Sequence, residues 1–252
     1  MEQLPILYRD EFLVVVHKPS GLLVHRTDID RHETRFAVQI VRDQIDCKVY
    51  PVHRLDKGTS GVLLFALQPE TGKALIAQFE AQRVGKTYLA VVRGHPAESG
   101  EIEHPLTRIR DAYEWSGTEM ESEVQQSLTR YRRLAKAECD AHVDKYPTSR
   151  YALVELEPLT GRRHQLRRHL KHIAHPIIGD STYGKGRHNR FFQQAFGCHR
   201  MLLASVSLSL THPATRRPLT LLAPLTDDFA NVLAALGMQR AVPQPYILEP
   251  SC

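Results

Sequence analysis

The sequence lacks most features that would mark an exported, membrane-bound or zinc-binding protein. Only four of its 252 residues are cysteine, and these are widely separated with no CxxC pair. A disulfide framework and a cysteine zinc site are therefore not expected. No apolar run is long enough to span a bilayer, and residues 1–10 lack the basic and then apolar pattern of a signal peptide. We therefore expect a cytoplasmic protein without a membrane association.

Several common catalytic motifs are also missing. The chain contains no GxSxG sequence, no P-loop and no glycine-rich dinucleotide fingerprint. His164, His169, His172 and His175 lie close together, but no acidic residue completes a HExxH arrangement. The residues therefore indicate neither a nucleotide cofactor nor a metal ion.

The charge of the chain is unevenly distributed. Lysine and arginine total 33 against 28 acidic residues, a net charge of +5. Residues 98–123 are rich in acidic side chains, whereas residues 162–200 are dense in arginine, lysine and histidine. A one-sided basic surface is typical of a polyanion binder, although a merely solvated basic face gives the same pattern.

Hydrophobic patterning predicts many strands and few helices. We predict strands at 12–16, 62–67, 86–93, 128–134, 151–156, 202–210 and 219–222, and helices at 69–84, 163–174 and 227–236. Residues 202–210 alternate apolar residues with serine, which predicts a half-buried strand with one polar face. Because strands and helices do not alternate regularly, we expect an α+β fold with a mixed, mostly antiparallel sheet flanked by helices and loops.

This pattern predicts a single catalytic domain over residues 1–237. We expect an insertion with hairpin or loop character within residues 94–126. The segment 238–252 contains prolines, and we expect it to be a loosely held tail.

A glycine-rich turn is the first candidate for chemistry. Residues 53–61 read HRLDKGTSG and lead directly into the apolar run at 62–67. A turn fixed to a rigid strand can direct one side chain into a cleft. Asp56, a single carboxylate flanked by cations, is therefore the candidate catalytic residue.

The predicted helix at 163–174 carries a second candidate set. On a helical wheel its apolar face contains Leu166, Leu170 and Ile173. Arg163 and Arg167 lie four residues apart on the flank of that face, where an arginine can pair with a carboxylate at the edge of a cleft. The side chains predicted to point outward could bind phosphates: His164, Arg168 and Lys171. A hydrated amphipathic surface helix remains the alternative interpretation.

Four segments, taken in order, resemble the motifs of the RluA-type pseudouridine synthases. They are KPSG at 18–21, HRLD at 53–56, KTYLA at 86–90 and TGRRHQLR at 160–167, and PIIGD at 176–180 continues the pattern. The resemblance extends from about residue 6 to residue 222, without an S4-like extension ahead of it. It implies the pseudouridine synthase fold and the isomerisation of uridine in RNA to its C-glycoside. It implies no cofactor, no metal and no obligate protein partner.

The resemblance also assigns roles to three residues. Asp56 matches the catalytic aspartate, as the nucleophile or the base that starts cleavage of the N-glycosidic bond. Attack at C1′, attack at C6 and abstraction of a C2′ proton all remain open. Arg167 matches the cation that pairs with the aspartate. Tyr88 matches the tyrosine that stacks on the flipped base and could move a proton at C5, although a strand tyrosine can also serve packing alone.

Further residues follow from the same resemblance. Arg54 matches the arginine that fills the gap left by the flipped base, and Leu203 matches the apolar residue near the uracil. Leu202 is the alternative to Leu203, because the residues after His199 depart from the family pattern. RNA binding falls to the basic side chains in and before the predicted helix: Arg162, Arg163, His164, Arg168 and Lys171.

The RNA target is predicted from two short stretches. Residues 25–34 and 155–158 resemble the branch of the family that modifies uridine 65 in the T stem of tRNA. A uracil inside a stem must be flipped out, at a cost of about a few kcal/mol. We therefore expect tRNA as the partner. A uridine in ribosomal RNA and a non-catalytic RNA-binding role are the alternatives.

Overall fold

The computed structural model describes residues 2–25, 33–109 and 123–247. The helices in these ranges are α1 (Ala37–Ile45), α2 (Pro69–Glu80), α3 (Gln165–His172), α4 (Gly186–Phe196) and α5 (Asp227–Ala235). The first six strands are β1 (Ile6–Arg9), β2 (Leu13–Lys18), β3 (Tyr50–Pro51), β4 (Ser60–Ala66), β5 (Gly85–Arg93) and β6 (Ser99–Glu103). The remaining strands are β7 (Leu106–Thr107), β8 (Val124–Gln125), β9 (Leu128–Cys139), β10 (Ser149–Pro158), β11 (Leu203–Thr211) and β12 (Pro218–Leu222). None of the helices in the described part of the chain is long and apolar enough to cross a membrane.

Ten of the described strands form one large sheet. Its main order is β1-β2-β4-β11-β5-β10-β9-β6, with β3 beside β4 and β12 beside β11. Strands β7 and β8 form a separate pair. Neighbouring strands run antiparallel except β4 and β11, which are parallel. The predicted α+β class with a mixed, mostly antiparallel sheet is therefore confirmed.

Strand β4 is buried along its whole length because helices cover both faces of the sheet at this point. Leu63 and Phe65 pack in one core cluster with Val41 of α1. Leu64 packs on the opposite face in a cluster with Leu75 of α2. This explains why the sequence shows a continuous apolar run here, since a strand covered on both faces does not alternate.

Strand β11 corrects one sequence prediction. Its serines were expected on a polar, solvated face, but Ser205 and Ser207 are buried. Tyr88 forms a side-chain hydrogen bond with Ser205, and Tyr246 forms one with Ser207. The prediction was wrong because a hydroxyl can be buried at little cost once it has a hydrogen-bond partner.

The C-terminal segment corrects a second prediction. Met238 and Val242 are buried in the core cluster that contains α5, and the Leu225 backbone N–H donates to the Tyr246 carbonyl at 2.9 Å. Residues 238–247 are therefore packed on the core and are not a loosely held tail. Residues 248–252 lie outside the described residues. In the predicted insertion, the described part contains β6, β7 and β8, and residues 110–122 also lie outside the described ranges.

Two helices were not predicted, α1 and α4. Neither begins with a side chain that caps the helix or with an acidic first turn. These are the signals by which a short helix is recognised in a sequence. Their apolar residues, such as Val41 and Phe192, are buried against the sheet, so tertiary packing stabilises both helices.

Gly61 sets the close approach of the two parallel strands. Its φ is +112°, and a Cβ at this position would lie 1.9 Å from the carbonyl oxygen of Ser205. We predict that Gly61→Ala lowers the free energy of unfolding by about 3 kcal/mol or more, because backbone must move and the conformation is strained for an L-residue. Gly161→Ala is the matched control, since apart from Gly161 and its two chain neighbours no heavy atom lies within 4 Å of its Cβ position. Urea unfolding measures both, and equal stability of the two variants would contradict the prediction.

Candidate active site

The turn that carries Asp56 is held by hydrogen bonds from the KPSG turn at 18–21. The Gly21 backbone N–H donates to the carbonyl of Lys57 at 2.7 Å, and the Ser20 hydroxyl donates to the carbonyl of Gly58 at 2.8 Å. Within the turn, the Thr59 N–H donates to the carbonyl of Asp56 at 3.0 Å. The position of Asp56 is therefore set by a second segment that is distant in sequence.

Lys18 adds side-chain hydrogen bonds between these two turns. Its side chain is fully buried, and its Nζ donates to the carbonyls of Pro19, Leu22 and Lys57 at 2.9, 2.7 and 3.2 Å. Burial and then the charge of Arg200 lower the pKa of Lys18 to about 7, against the opposing effect of Asp56. Lys18 therefore joins the turn at 18–21 to the loop of Asp56.

His53 anchors the turn to strand β4. Its Nε2 accepts a hydrogen bond from the Leu64 backbone N–H at 3.0 Å, and its ring stacks on Phe79 at 5.1 Å. Burial and then the nearby charge of Lys86 lower the pKa of His53 to about 4. The ring is therefore neutral at physiological pH and can accept this bond.

Arg167 links Asp56 to a second carboxylate, Asp180. Its Nη1 donates to Asp56 Oδ2 at 3.1 Å. Its Nε and Nη2 donate to the two oxygens of Asp180 at 2.7 and 2.9 Å. Asp180 is fully buried, whereas the side chain of Asp56 is 22% exposed. Arg167 thus forms a bidentate pair with Asp180, and its remaining NH2 group (Nη1) donates to Asp56. A contact with a carboxylate is what the flank position on the helical wheel suggested.

Charge and hydrogen bonding stabilise the ionised states of Asp180 and Arg167. Burial alone would raise the pKa of Asp180, but the hydrogen bond from Arg167 and those from the N–H groups of Tyr183 and Thr182 hold it below its ordinary value of 3.8. Burial alone would lower the pKa of Arg167, and its pairing with Asp180 and Asp56 raises it instead. Sequence reasoning missed Asp180, because the turn at 176–180 gave no local sign of a partner thirteen residues earlier.

His164 corrects the predicted outward orientation. It precedes α3 in a left-handed conformation with φ of 57°. Its Nε2 lies 3.8 Å from Asp56 Oδ1, and its Nδ1 is 3.1 Å from the Tyr183 hydroxyl. Burial lowers the pKa of His164, with Asp56 opposing and Arg167 adding to the decrease. The helix begins at Gln165, so the wheel drawn from 163 placed this residue on the wrong side.

The side chains expected near the base lie together on one wall of the cleft. Tyr88 and Leu203 line the same recess as Asp56. Leu202 instead points into the core cluster on the opposite face of the sheet. Burial raises the pKa of Tyr88 to about 12, with a smaller contribution from Asp56 and an opposing hydrogen bond with Ser205. Of the two leucines, Leu203 is the one that faces the cleft.

The basic residues predicted to bind RNA separate into two groups. Arg162, Arg163 and His164 line the cleft, as does Arg54, the residue predicted to fill the gap left by the base. Arg168 Nη1 donates to the Thr107 carbonyl at 2.9 Å, and Lys171 Nζ lies over the ring of Tyr183; neither lines the cleft that contains Asp56. The structure therefore brings together Asp56, Arg54, Tyr88, Arg167 and Leu203, with Arg162, Arg163 and His164 around them.

This cleft combines an accessible carboxylate, a fixed arginine and an aromatic and aliphatic wall beside cationic side chains. Such a set suits a planar base, a sugar and phosphates. A scan against protein-family models matches residues 12–172 to the family described as RNA pseudouridylate synthase. The chain belongs to this family of isomerases, which act on uridine in RNA.

The individual relatives give the comparison at finer detail. The chain is similar to proteins named tRNA pseudouridine synthase C, with 43% identity over 239 residues to that of Vibrio cholerae, covering 95% of this chain and 98% of the relative. Identity to the Haemophilus ducreyi protein is 47% over 235 residues, covering 93% and 96%. The Pectobacterium carotovorum protein is 48% identical over 241 residues; the match covers 96% of this chain but only 64% of that relative.

Solved structures confirm the fold expected from the resemblance. Human RNA Pseudouridylate Synthase Domain Containing 1 superposes with a TM-score of 0.68 and 26% identity, covering 97% of each chain. Human RNA Pseudouridylate Synthase Domain Containing 4 has the same TM-score with 25% identity, covering 92% of this chain and 93% of the human one.

Because Asp180 and Arg167 form a buried ion pair, we predict that the stability of the protein depends strongly on Asp180. We expect Asp180→Asn to lower the free energy of unfolding at neutral pH by about 3 kcal/mol, because Arg167 loses the charge that balances it in a buried site. The folded-state pKa of Asp180 is depressed, so its stabilising contribution is present above about pH 4 and is lost as the pH falls further. The difference between wild type and variant should therefore shrink below about pH 4.

Urea unfolding at several pH values measures this effect. Asp43→Asn is the matched control, because Asp43 pairs with Arg42 on the exposed surface, where an ion pair contributes little. Equal midpoints for the two variants at neutral pH would contradict the assignment of Asp180.

Proposed function

We propose that this protein converts uridine to pseudouridine in tRNA, with uridine 65 of the T stem as the target. The observation that carries the proposal is the placement of Asp56, with Arg167, Tyr88 and Leu203 around it in one cleft. The substrate class is supported by the relatives, which carry the name tRNA pseudouridine synthase C. The position within tRNA is supported by the resemblance of residues 25–34 and 155–158; residues 26–32 lie outside the described ranges.

Asp56 is proposed as the catalytic residue because it is the accessible member of the carboxylate pair. Isomerisation breaks the bond between N1 and C1′ and forms one between C5 and C1′, while C5 loses a proton and N1 gains one. Attack of the carboxylate at C1′, its attack at C6 and removal of a C2′ proton are three ways to begin. Each requires an ionised carboxylate that is aimed at the nucleotide.

Arg167 is proposed to aim that carboxylate. Its guanidinium is immobilised by the bidentate contact with Asp180, so its contact with Asp56 Oδ2 fixes one oxygen in space. The rotational freedom of Asp56 is thereby reduced before substrate arrives. Pre-organisation of this kind lowers the barrier because the reacting group needs little reorientation.

Tyr88 and Leu203 are proposed to hold the flipped uracil. Both line the recess beside Asp56, one as an aromatic face and the other as an aliphatic surface. With its pKa raised to about 12, the Tyr88 hydroxyl stays protonated at neutral pH. It can therefore stack on the base and donate a hydrogen bond, while removal of the C5 proton requires that it first give up its own.

The cleft arginines are proposed to handle the RNA. Arg54 is exposed and lines the cleft, so it can occupy the space that the flipped base leaves in the stem. Arg162 and Arg163 lie at the start of α3 and can contact phosphates. These contacts supply sequence-independent affinity that decreases as salt increases.

The central prediction concerns Asp56. We expect Asp56→Asn to reduce pseudouridine formation by at least about 10³-fold, because the nucleophile or base is removed. RNA affinity should stay close to that of wild type, since the cationic lining of the cleft is unchanged. Tritium release from C5-labelled tRNA measures the reaction, and Asp43→Asn serves as the charge-matched surface control. A normal rate for the Asp56→Asn protein would contradict the proposal.

A separate prediction concerns the RNA target. Cells without this gene should lose pseudouridine at position 65 of their tRNA and keep all other pseudouridines. Mapping pseudouridines in tRNA and ribosomal RNA, with and without the gene, tests this directly. Loss confined to ribosomal RNA would place the substrate there, and no loss in either RNA would favour a non-catalytic binding role.

A further inference from the structure

The cleft adjoins a second recess that shares Asp56 with it. We call it the far recess; it is lined in part by Gly21, Val24, Lys57, Gly58 and Met201. Five of its lining residues are lysine or arginine, and Asp56 is its one acidic residue among those described. Neither Tyr88 nor Leu203 lines it. Its chemistry is therefore that of an anion site rather than a second base pocket.

Some of these cations are already engaged within the protein. Arg167 is held by Asp180, and Arg200 donates to Ser60 and Asp228. The side chain of Lys57 is different, because it is 41% exposed and its Nζ lies 2.7 Å from an oxygen of Glu33 on the surface. Lys57 is thus an exposed cation of the far recess that is paired with an exposed carboxylate.

The ion pair between Lys57 and Glu33 is of a kind in which another anion can readily replace the carboxylate. The Glu33 side chain is 38% exposed, and ion pairs between exposed groups contribute little to stability. The hydrogen bond and charge of Lys57 lower the pKa of Glu33, so the carboxylate is ionised and occupies Lys57 at neutral pH. A phosphate of RNA can replace this carboxylate at small cost and with the release of counterions.

The far recess is open at Gly21. Gly21 lines it with φ of +87°, and apart from Gly21 and its two chain neighbours no heavy atom lies within 4 Å of the position a Cβ would take there. A target nucleotide that places its base beside Tyr88 and its sugar over Asp56 must continue into a flanking phosphate. The far recess, which shares Asp56 with the first recess, can receive this phosphate.

We propose that Lys57 and the far recess form a binding subsite for the phosphate next to the target nucleotide, and that this phosphate displaces Glu33 from Lys57. The ligand class rests on the proposed function, since it takes RNA as the substrate. The subsite reads the backbone and not the base, so it acts on any RNA strand that enters the cleft. Lys57 thereby joins RNA binding to the turn that carries Asp56.

The test is the salt dependence of RNA binding by four variants of the full chain. Lys57→Gln removes the cation, Glu33→Gln removes the competing carboxylate, and the double variant removes both. Lys73→Gln is the matched control, because Lys73 is exposed on α2 and lines neither recess. The probes are a T-arm hairpin of tRNA and an unrelated hairpin of the same length, titrated at several potassium chloride concentrations.

We expect Lys57→Gln to reduce the slope of log K against log salt by about 0.7 to 0.9, the effect of losing one phosphate contact. Glu33→Gln should tighten binding severalfold, and this gain should vanish in the double variant because the two changes act on one contact. Both hairpins should show the same pattern. Lys73→Gln should leave the slope near that of wild type.

Three results would overturn the proposal. An unchanged slope in Lys57→Gln would show that no phosphate binds there. Weaker binding by Glu33→Gln would show that the pair orders the turn and does not compete with RNA. An equal loss in Lys73→Gln would assign the effect to overall charge. Pseudouridine formation on the T-arm hairpin by wild type is measured in parallel, so a wrong RNA target appears as absent product with an intact slope effect.

Discussion

The site depends on the two ion pairs that the buried guanidinium of Arg167 forms with Asp180 and Asp56. The guanidinium carries one positive charge between two carboxylates, one fully buried and one accessible. Asp180 holds the arginine through two hydrogen bonds, and the third nitrogen of the guanidinium, Nη1, donates to Asp56. A buried charge of this kind is tolerated only when it is paired, so the same contacts that stabilise the fold also orient the candidate catalytic group. Structure and proposed chemistry are therefore coupled at one residue.

The sheet supplies the frame for this coupling. Asp56 lies on the turn before β4, and Leu203 begins β11, the parallel neighbour of β4. Gly61 permits the close approach of the two strands, which keeps the carboxylate and the base wall at a fixed separation. Lys18 and His53 tie the turn down at its two sides through backbone groups. A rigid frame of this kind can aim a single carboxylate into the cleft.

The cleft has two recesses that differ in the chemistry of their lining residues. One recess combines Tyr88 and Leu203 with Asp56 and suits a flipped base. The other combines cations with several glycines in its lining and suits the RNA backbone. Asp56 and Arg54 line both recesses, and in the proposed binding mode this is where the nucleotide passes from base to sugar and phosphate. Cations on both sides of a lone carboxylate also attract the polyanion that brings the substrate.

The sequence by itself determined the features that depend on local order. The apolar run after Asp56, the amphipathic face of α3 and the flank position of Arg167 all follow from periodicity, which is a property of neighbouring residues. The ordered motifs identified the family. Tertiary structure alone decided that Asp180 pairs with Arg167, that His164 faces Asp56, and that Leu203 rather than Leu202 faces the cleft. It also buried the serines of β11 and the segment 238–247, because contacts between distant segments, and not local spacing, determine which polar groups find partners.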